Sequence, residues 1–131
     1  MRGKIRNKSL ARILRDYSRL RIGAITPTDL DGYFEINNKH FVFIEIKYHD
    51  AAMPYGQRLA LERMVDAIAA GGKLSILILA THNVSAESDI EIDVASCNVT
   101  AIKFGGDKWR YYNDNYNVKQ CVDDFLKLEG K

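Results

Sequence analysis

The 131-residue sequence predicts an α/β fold, and three observations carry that prediction. Leu74-Ser75-Ile76-Leu77-Ile78-Leu79-Ala80 is nearly continuous in apolar character, as in a strand buried on both faces of a sheet. His40 to Tyr48 is rich in β-branched and aromatic residues, the composition of a second strand. Between the two, residues 55–70 set apolar side chains at helical spacing. Strand, helix and strand in this order call for a right-handed crossover to a parallel neighbour.

In chain order, Ser9 can cap a first helix in which Leu10, Ile13, Leu14, Tyr17 and Leu20 form an apolar stripe under a basic outer face. Residues 22–32 read as a loop or short irregular strand, punctuated by Thr26-Pro27-Thr28 and Gly32. Tyr33 to Ile36 is a short strand, and Asn37-Asn38-Lys39 is turn chemistry because asparagine tolerates positive φ. With His40 to Tyr48 these residues make a β-hairpin. After a loop containing Pro54, the helix over 55–70 buries Leu61, Met64, Val65 and Ile68 and stops at Gly71-Gly72. Lys73 to Thr81 is the buried strand. Asp89 to Val94 alternates strictly and reads as a strand, with Glu87, Asp89, Glu91 and Asp93 on one solvated acidic face. Val99 to Phe104, a Gly105-Gly106 turn and Trp109 to Tyr112 form a second hairpin. Around that turn Lys103, Lys108, Trp109, Arg110, Tyr111 and Tyr112 mix basic and aromatic residues. Core packing is the expected role of the aromatics, with base stacking the alternative. Asn117 to Leu128 closes the chain as a helix.

Length and composition bound the rest. A chain of this length makes about one domain, here residues 1–131, and needs no disulfide staples. Hydrophobic residues at 47% and charged residues at 27% exclude a disordered tail, a collagen-like chain and a coiled-coil rod. No run of about 18 apolar residues offers a membrane span, and no apolar segment follows the basic Met1-Arg2-Gly3-Lys4 as in a secretory signal. A cytoplasmic protein with Cys97 and Cys121 as thiols is therefore expected. His40, His49 and His82 lack zinc-ligand spacing.

The net charge of +2 hides an asymmetry. Residues 1–21 hold eight basic side chains against the single acid Asp16, a local +7, so the other 110 residues carry −5. A basic arm on an acidic body points to a polyanionic partner, most simply nucleic acid, with Arg6, Lys8, Arg12, Arg15 and Arg19 as the candidate contacts. A solvated helix face is the bland alternative.

The chemistry-bearing segment is Thr26-Pro27-Thr28-Asp29-Leu30-Asp31-Gly32 followed by Phe43-Ile44-Glu45-Ile46-Lys47. Glu45 and Lys47 stand two apart on a strand and share a face, while Val42, Ile44 and Ile46 occupy the other. If the hairpin loop is Asn37-Asn38-Lys39, Ile36 faces His40, Asp31 falls opposite Glu45 and Asp29 opposite Lys47. Opposed carboxylates are destabilising, and a divalent cation between them relieves the repulsion. Mg²⁺ is held by one or two protein carboxylates and keeps open positions for a phosphate oxygen and a water. Lys47 would orient that water or stabilise the anionic transition state.

Asp31, 14 residues before Glu45-Ile46-Lys47, resembles the signature of the PD-(D/E)XK nuclease superfamily. The resemblance covers roughly residues 9–81, and residues 82–131 form a C-terminal extension to it. It implies a restriction-endonuclease-like αβββαβ core with a mixed central sheet. It implies Asp31 and Glu45 as metal ligands with the backbone carbonyl of Ile46, Lys47 as the catalytic lysine, Mg²⁺ as cofactor with Mn²⁺ as substitute, DNA as substrate, and a homodimer. Small members include archaeal Holliday junction resolvases and phage nucleases, which implies a prokaryotic or phage-infected cell.

Some features depart from the family pattern. Pro27 does not directly precede an acid, so Asp29 and Asp31 compete for the first acidic position, with spacing favouring Asp31. The family's first strand would fall between Gly23 and Thr26. Gln57 opens the 55–70 helix where some members place a glutamine, but the tyrosine they carry four residues later is Leu61 here. A glutamine on an apolar stripe needs a polar partner, which the carboxylates could supply; facing solvent is the alternative. Asp16 is the one candidate for an acid from the first helix. The expectation is a Mg²⁺-dependent endonuclease on branched or duplex DNA. The competing classes are a non-catalytic nucleic-acid-binding module on the same fold and a plain α/β interaction domain.

Overall fold

The computed structural model describes residues 16–49, 51–84, 91–113 and 115–129. Five strands form one mixed sheet in the order β1-β2-β3-β4-β5: Gly32–Ile36, His40–Tyr48, Leu74–His82, Asn98–Phe104 and Trp109–Tyr111. Only β2 and β3 run parallel; the other neighbours are antiparallel. Helix α1, Tyr55–Ala70, makes the crossover between the parallel pair, and α2, Val118–Leu126, closes the chain. These five strands and two helices fall on segments the sequence marks, with ends that differ by a residue or two.

Strand alternation divides the core into two layers. Phe43 and Leu77 point to one face and are covered by Leu61 and Val65 of α1. Val42, Ile44, Ile76, Ile78, Val99 and Ile102 point to the other, against Val118, Cys121 and Phe125 of α2. Each large apolar side chain buried this way stabilises the fold by roughly 1.5–3 kcal/mol. Residues 98–126 thus supply two strands and the helix that closes the second face. Cys97 and Cys121 are buried thiols in that layer.

Local chemistry sets the boundaries. Asn37 and Asn38 both adopt left-handed φ, 54° and 55°, and Lys39 N–H donates to Ile36 O at 3.0 Å. The turn fixes the predicted register, with Ile36 facing His40 and Gly32 facing Ile44. Pro54 precedes α1, and Gly71 and Gly72 end it, Gly72 at φ +87°. Asn117 caps α2 in a reciprocal capping box with Gln120. Gly105 passes so close to α1 that an added Cβ would collide with Val65 O, Ser75 Oγ and Ala69 Cβ.

Three expectations are corrected. Residues 91–93 form no strand and lead into a 3-10 turn at Val94–Ser96. Among the described residues no strand pairs with this segment, and Asp93 instead takes the Ser96 hydroxyl at 2.5 Å. The remaining acids of that pattern, Glu87 and Asp89, lie outside the described residues. Between Gly23 and Thr26 no strand forms, because Gly23 at φ +61° turns the chain back into an isolated Ile22–Ile25 bridge. The first helix lies outside the described residues up to residue 15. Beyond it only Ser18–Leu20 makes a 3-10 turn, in which Leu20 is exposed rather than packed.

Candidate functional site

Two charged side chains are buried among the described residues, Glu45 and Lys103, and both sit on the α1 face of the sheet. Their situations differ. Lys103 Nζ is matched by Asp66 Oδ1 and Asp107 O, each at 2.7 Å, so its charge is compensated. Glu45, 2% exposed, instead faces a second carboxylate.

That second carboxylate is Asp31. β1 begins at Gly32, so Asp31 stands one residue before the strand, at the register position opposite Glu45. Its Oδ2 accepts the backbone N–H of Ile46 at 2.8 Å, which anchors it to the edge of β2 that β1 leaves unpaired. Strand geometry turns the Ile46 carbonyl toward the same edge as its N–H. Burial, then the hydrogen bond and charge of Asp31, push the Glu45 carboxyl up to about 8, against the opposing pull of Lys47. Glu45 therefore holds its proton more tightly than an ordinary carboxyl does.

Gln57 ties the site together from the first turn of α1. Its Nε2 donates to Glu45 Oε2 and, at 3.2 Å, to Asp29 O, while its Oε1 accepts from Lys47 Nζ at 3.2 Å. The glutamine faces the carboxylates rather than solvent. Leu61, one turn on, is core.

These residues line a cleft of about 770 Å³. One wall is residues 24–29 and the other is the Gly56, Gln57, Ala60 and Arg63 face of α1. The two small residues keep the cleft open. Pro54, Gly56 and Gln57 line the cleft, so the N-terminus of α1 lies at it, and no side chain caps that end.

The donor set suits one hard dication. A dication such as Mg²⁺ can take the place of the proton on Glu45 between two crowded carboxylates, with waters completing its shell. Among the described residues no three His, Cys, Asp or Glu side chains converge, so the candidate ligands there are the two carboxylates and the Ile46 carbonyl.

The structure brings Asp31, Glu45, Ile46, Lys47 and Gln57 together. Asp29 reaches the cleft differently: strand pairing stops at Gly32, so Asp29 does not sit opposite Lys47, and it contributes its carbonyl to Gln57. Asp16 does not line the cleft; its Oδ1 caps the N–H of Ser18 at 2.9 Å. Arg19 is exposed, and Arg6, Lys8, Arg12 and Arg15 lie outside the described residues. Arg63 was not anticipated. Its signal is the helical spacing Gln57, Ala60, Arg63, which sets it on the face that carries the glutamine.

Comparison with known proteins finds no matching family model, no matching curated protein and no matching solved structure.

Proposed function

We propose that the protein is a Mg²⁺-dependent nuclease of the PD-(D/E)XK type that hydrolyses DNA phosphodiester bonds, acting as an endonuclease on branched or duplex DNA. The observation that carries this reading is a buried Glu45 set against Asp31, with Gln57 and Lys47 bonded around them. A purely structural face would pair its buried charge, as it does at Lys103. The order β1-β2-α1-β3, with the site at the end of the parallel pair, also agrees with the central part of that superfamily's core.

Asp31 and Glu45 would hold the cation together with the Ile46 carbonyl. Bound Mg²⁺ supplies Lewis-acid polarisation of the phosphoryl oxygen and a lowered pKa for water. Lys47 presents an ammonium on the same face as Glu45, where it stabilises charge developing on the phosphoryl oxygens. Gln57 keeps that ammonium and the Glu45 carboxylate apart at a fixed spacing. Arg63 and the N-terminus of α1 line the cleft as phosphate-binding groups. A homodimer would let two such sites address two strands.

The test is incubation with branched, duplex and single-stranded DNA in Mg²⁺ or Mn²⁺, beside Glu45→Ala and Lys47→Ala. Metal-dependent cleavage lost in both variants is the expected result. DNA binding without cleavage would instead make the protein a non-catalytic binding module, and neither binding nor cleavage would make it an interaction domain.

A further inference from the structure

Tyr55 at 77% and Tyr111 at 73% are the most exposed aromatic side chains among the described residues. They come from different elements, the first residue of α1 and the last of β5. Arg58 lies on the Tyr55 face of α1, one turn on. Arg58 reaches the Trp109 ring, two residues before Tyr111 on the same strand face, which brings the three side chains into one neighbourhood.

This neighbourhood is braced from below. The Arg58 guanidinium carbon sits 5.7 Å from the centre of the Trp109 ring. Glu62 accepts from Arg58 Nε at 2.9 Å and from Trp109 Nε1 at 2.5 Å, holding both planes. Trp109 in turn packs against the α1-face core. The Arg58 side chain nevertheless keeps 48% of its surface exposed. The aromatics around the Gly105-Gly106 hairpin thus divide: Trp109 and Tyr112 pack inward, and Tyr111 stands out.

Register ties this surface to the carboxylates. Glu45 faces Leu79, Leu79 faces Ala101, and Ala101 faces Tyr111. Tyr111 and Glu45 therefore lie in one row across the α1 face, three strand spacings or about 14 Å apart. The start of α1 spans that gap, with Gln57 at the Glu45 carboxyl and Arg58 over Trp109, the strand neighbour of Tyr111.

We propose that Tyr55, Arg58 and Tyr111 form a platform on which unpaired bases of the nucleic-acid substrate stack, a few nucleotides from the scissile phosphate. The proposal rests on the nuclease reading and narrows its substrate to DNA with an unpaired stretch, such as a fork or flap. Aromatic rings and a guanidinium plane take any base by its face, whereas duplex bases are already stacked on one another. Arg63 on the same helix and Lys108 beside the hairpin add positive charge for the accompanying backbone.

The test is fluorescence anisotropy of the full chain in EDTA, where no cleavage occurs, with labelled oligothymidine, a blunt hairpin duplex and a fork. Tyr55→Ala and Tyr111→Ala are each expected to weaken oligothymidine and fork binding about five-fold or more, and the double variant further, with duplex binding unchanged. Tyr111→Phe should retain binding, and circular dichroism should show an unchanged fold. Equal losses on the duplex, no loss in the double variant, or no binding of unpaired DNA by the parent chain would overturn the platform. Mg²⁺-dependent cleavage that persists in the double variant at unchanged KM would remove the platform and leave the nuclease standing. Platform binding with no metal-dependent cleavage would remove the nuclease alone.

Discussion

Gln57 donates its side-chain amide to the buried carboxyl of Glu45, joining the first turn of α1 to the middle of the site. The same side chain accepts from Lys47, so one residue orders both the acid and the ammonium. Gln57→Ala would leave Glu45 without that donor and let Lys47 swing away. Cleavage is expected to fall about 10–100-fold, as for partners that orient metal ligands, with the melting temperature nearly unchanged. Because Gln57 acts through its neighbours, the loss should appear in kcat and in the Mg²⁺ concentration for half-maximal activity rather than in KM for DNA.

The carboxyl of Glu45 makes stability depend on pH in a defined direction. Its folded value, about 8, lies above the ordinary 4.5, so folding favours the protonated form. This contribution is complete below about pH 4.5 and is lost as pH rises through about 8. The metal-free protein should therefore melt lower at pH 8.5 than at pH 6. Glu45→Gln, which keeps the shape without the charge, should flatten that slope and raise the melting temperature at pH 8.5. Mg²⁺ should stabilise the parent chain most at high pH, where it replaces the missing proton. Thermal melts in EDTA and in Mg²⁺ at the two pH values check all three expectations.

Gly105 predicts a purely structural outcome. A methyl group there would strike Val65 O, Ser75 Oγ and Ala69 Cβ, and two of these three belong to the rigid helix. Ser75 Oγ already donates to Val65 O at 2.7 Å, so the serine cannot yield without breaking a buried bond. Gly105→Ala is expected to lower stability by about 1–3 kcal/mol, read from urea unfolding.

What was legible in the sequence was local. The hairpin register followed from Asn37-Asn38, because two left-handed residues admit few turns, and that register alone placed Asp31 opposite Glu45. The limits of α1 followed from Pro54 and Gly71-Gly72. What failed depended on distant partners. The alternating segment expected over Asp89 to Val94 has strand chemistry, yet among the described residues 91–94 pair with no strand. The expected pairing of Asp29 with Lys47 depended on where β1 begins, and β1 begins at Gly32, so residues 24–29 form a cleft wall instead. Arg63 was not singled out, because its place on the cleft depends on the opposite wall, residues 24–29, which is remote in sequence.

Arg63 makes the last prediction. Among the described residues it has no ion-pair partner, and it stands on the cleft face of α1 two turns beyond Gln57. A guanidinium in that position suits a backbone phosphate adjoining the one at the carboxylates. Arg63→Ala is expected to weaken DNA binding on every sequence and structure alike, and to reduce the slope of log K against log salt by about 0.9, one phosphate's worth. Arg63→Lys should restore most of the slope, since it keeps the charge, but less of the affinity, since it loses the planar fork. The measurement is a salt titration of binding in EDTA. An unchanged slope in Arg63→Ala would mean that the substrate backbone does not run along this face of the helix.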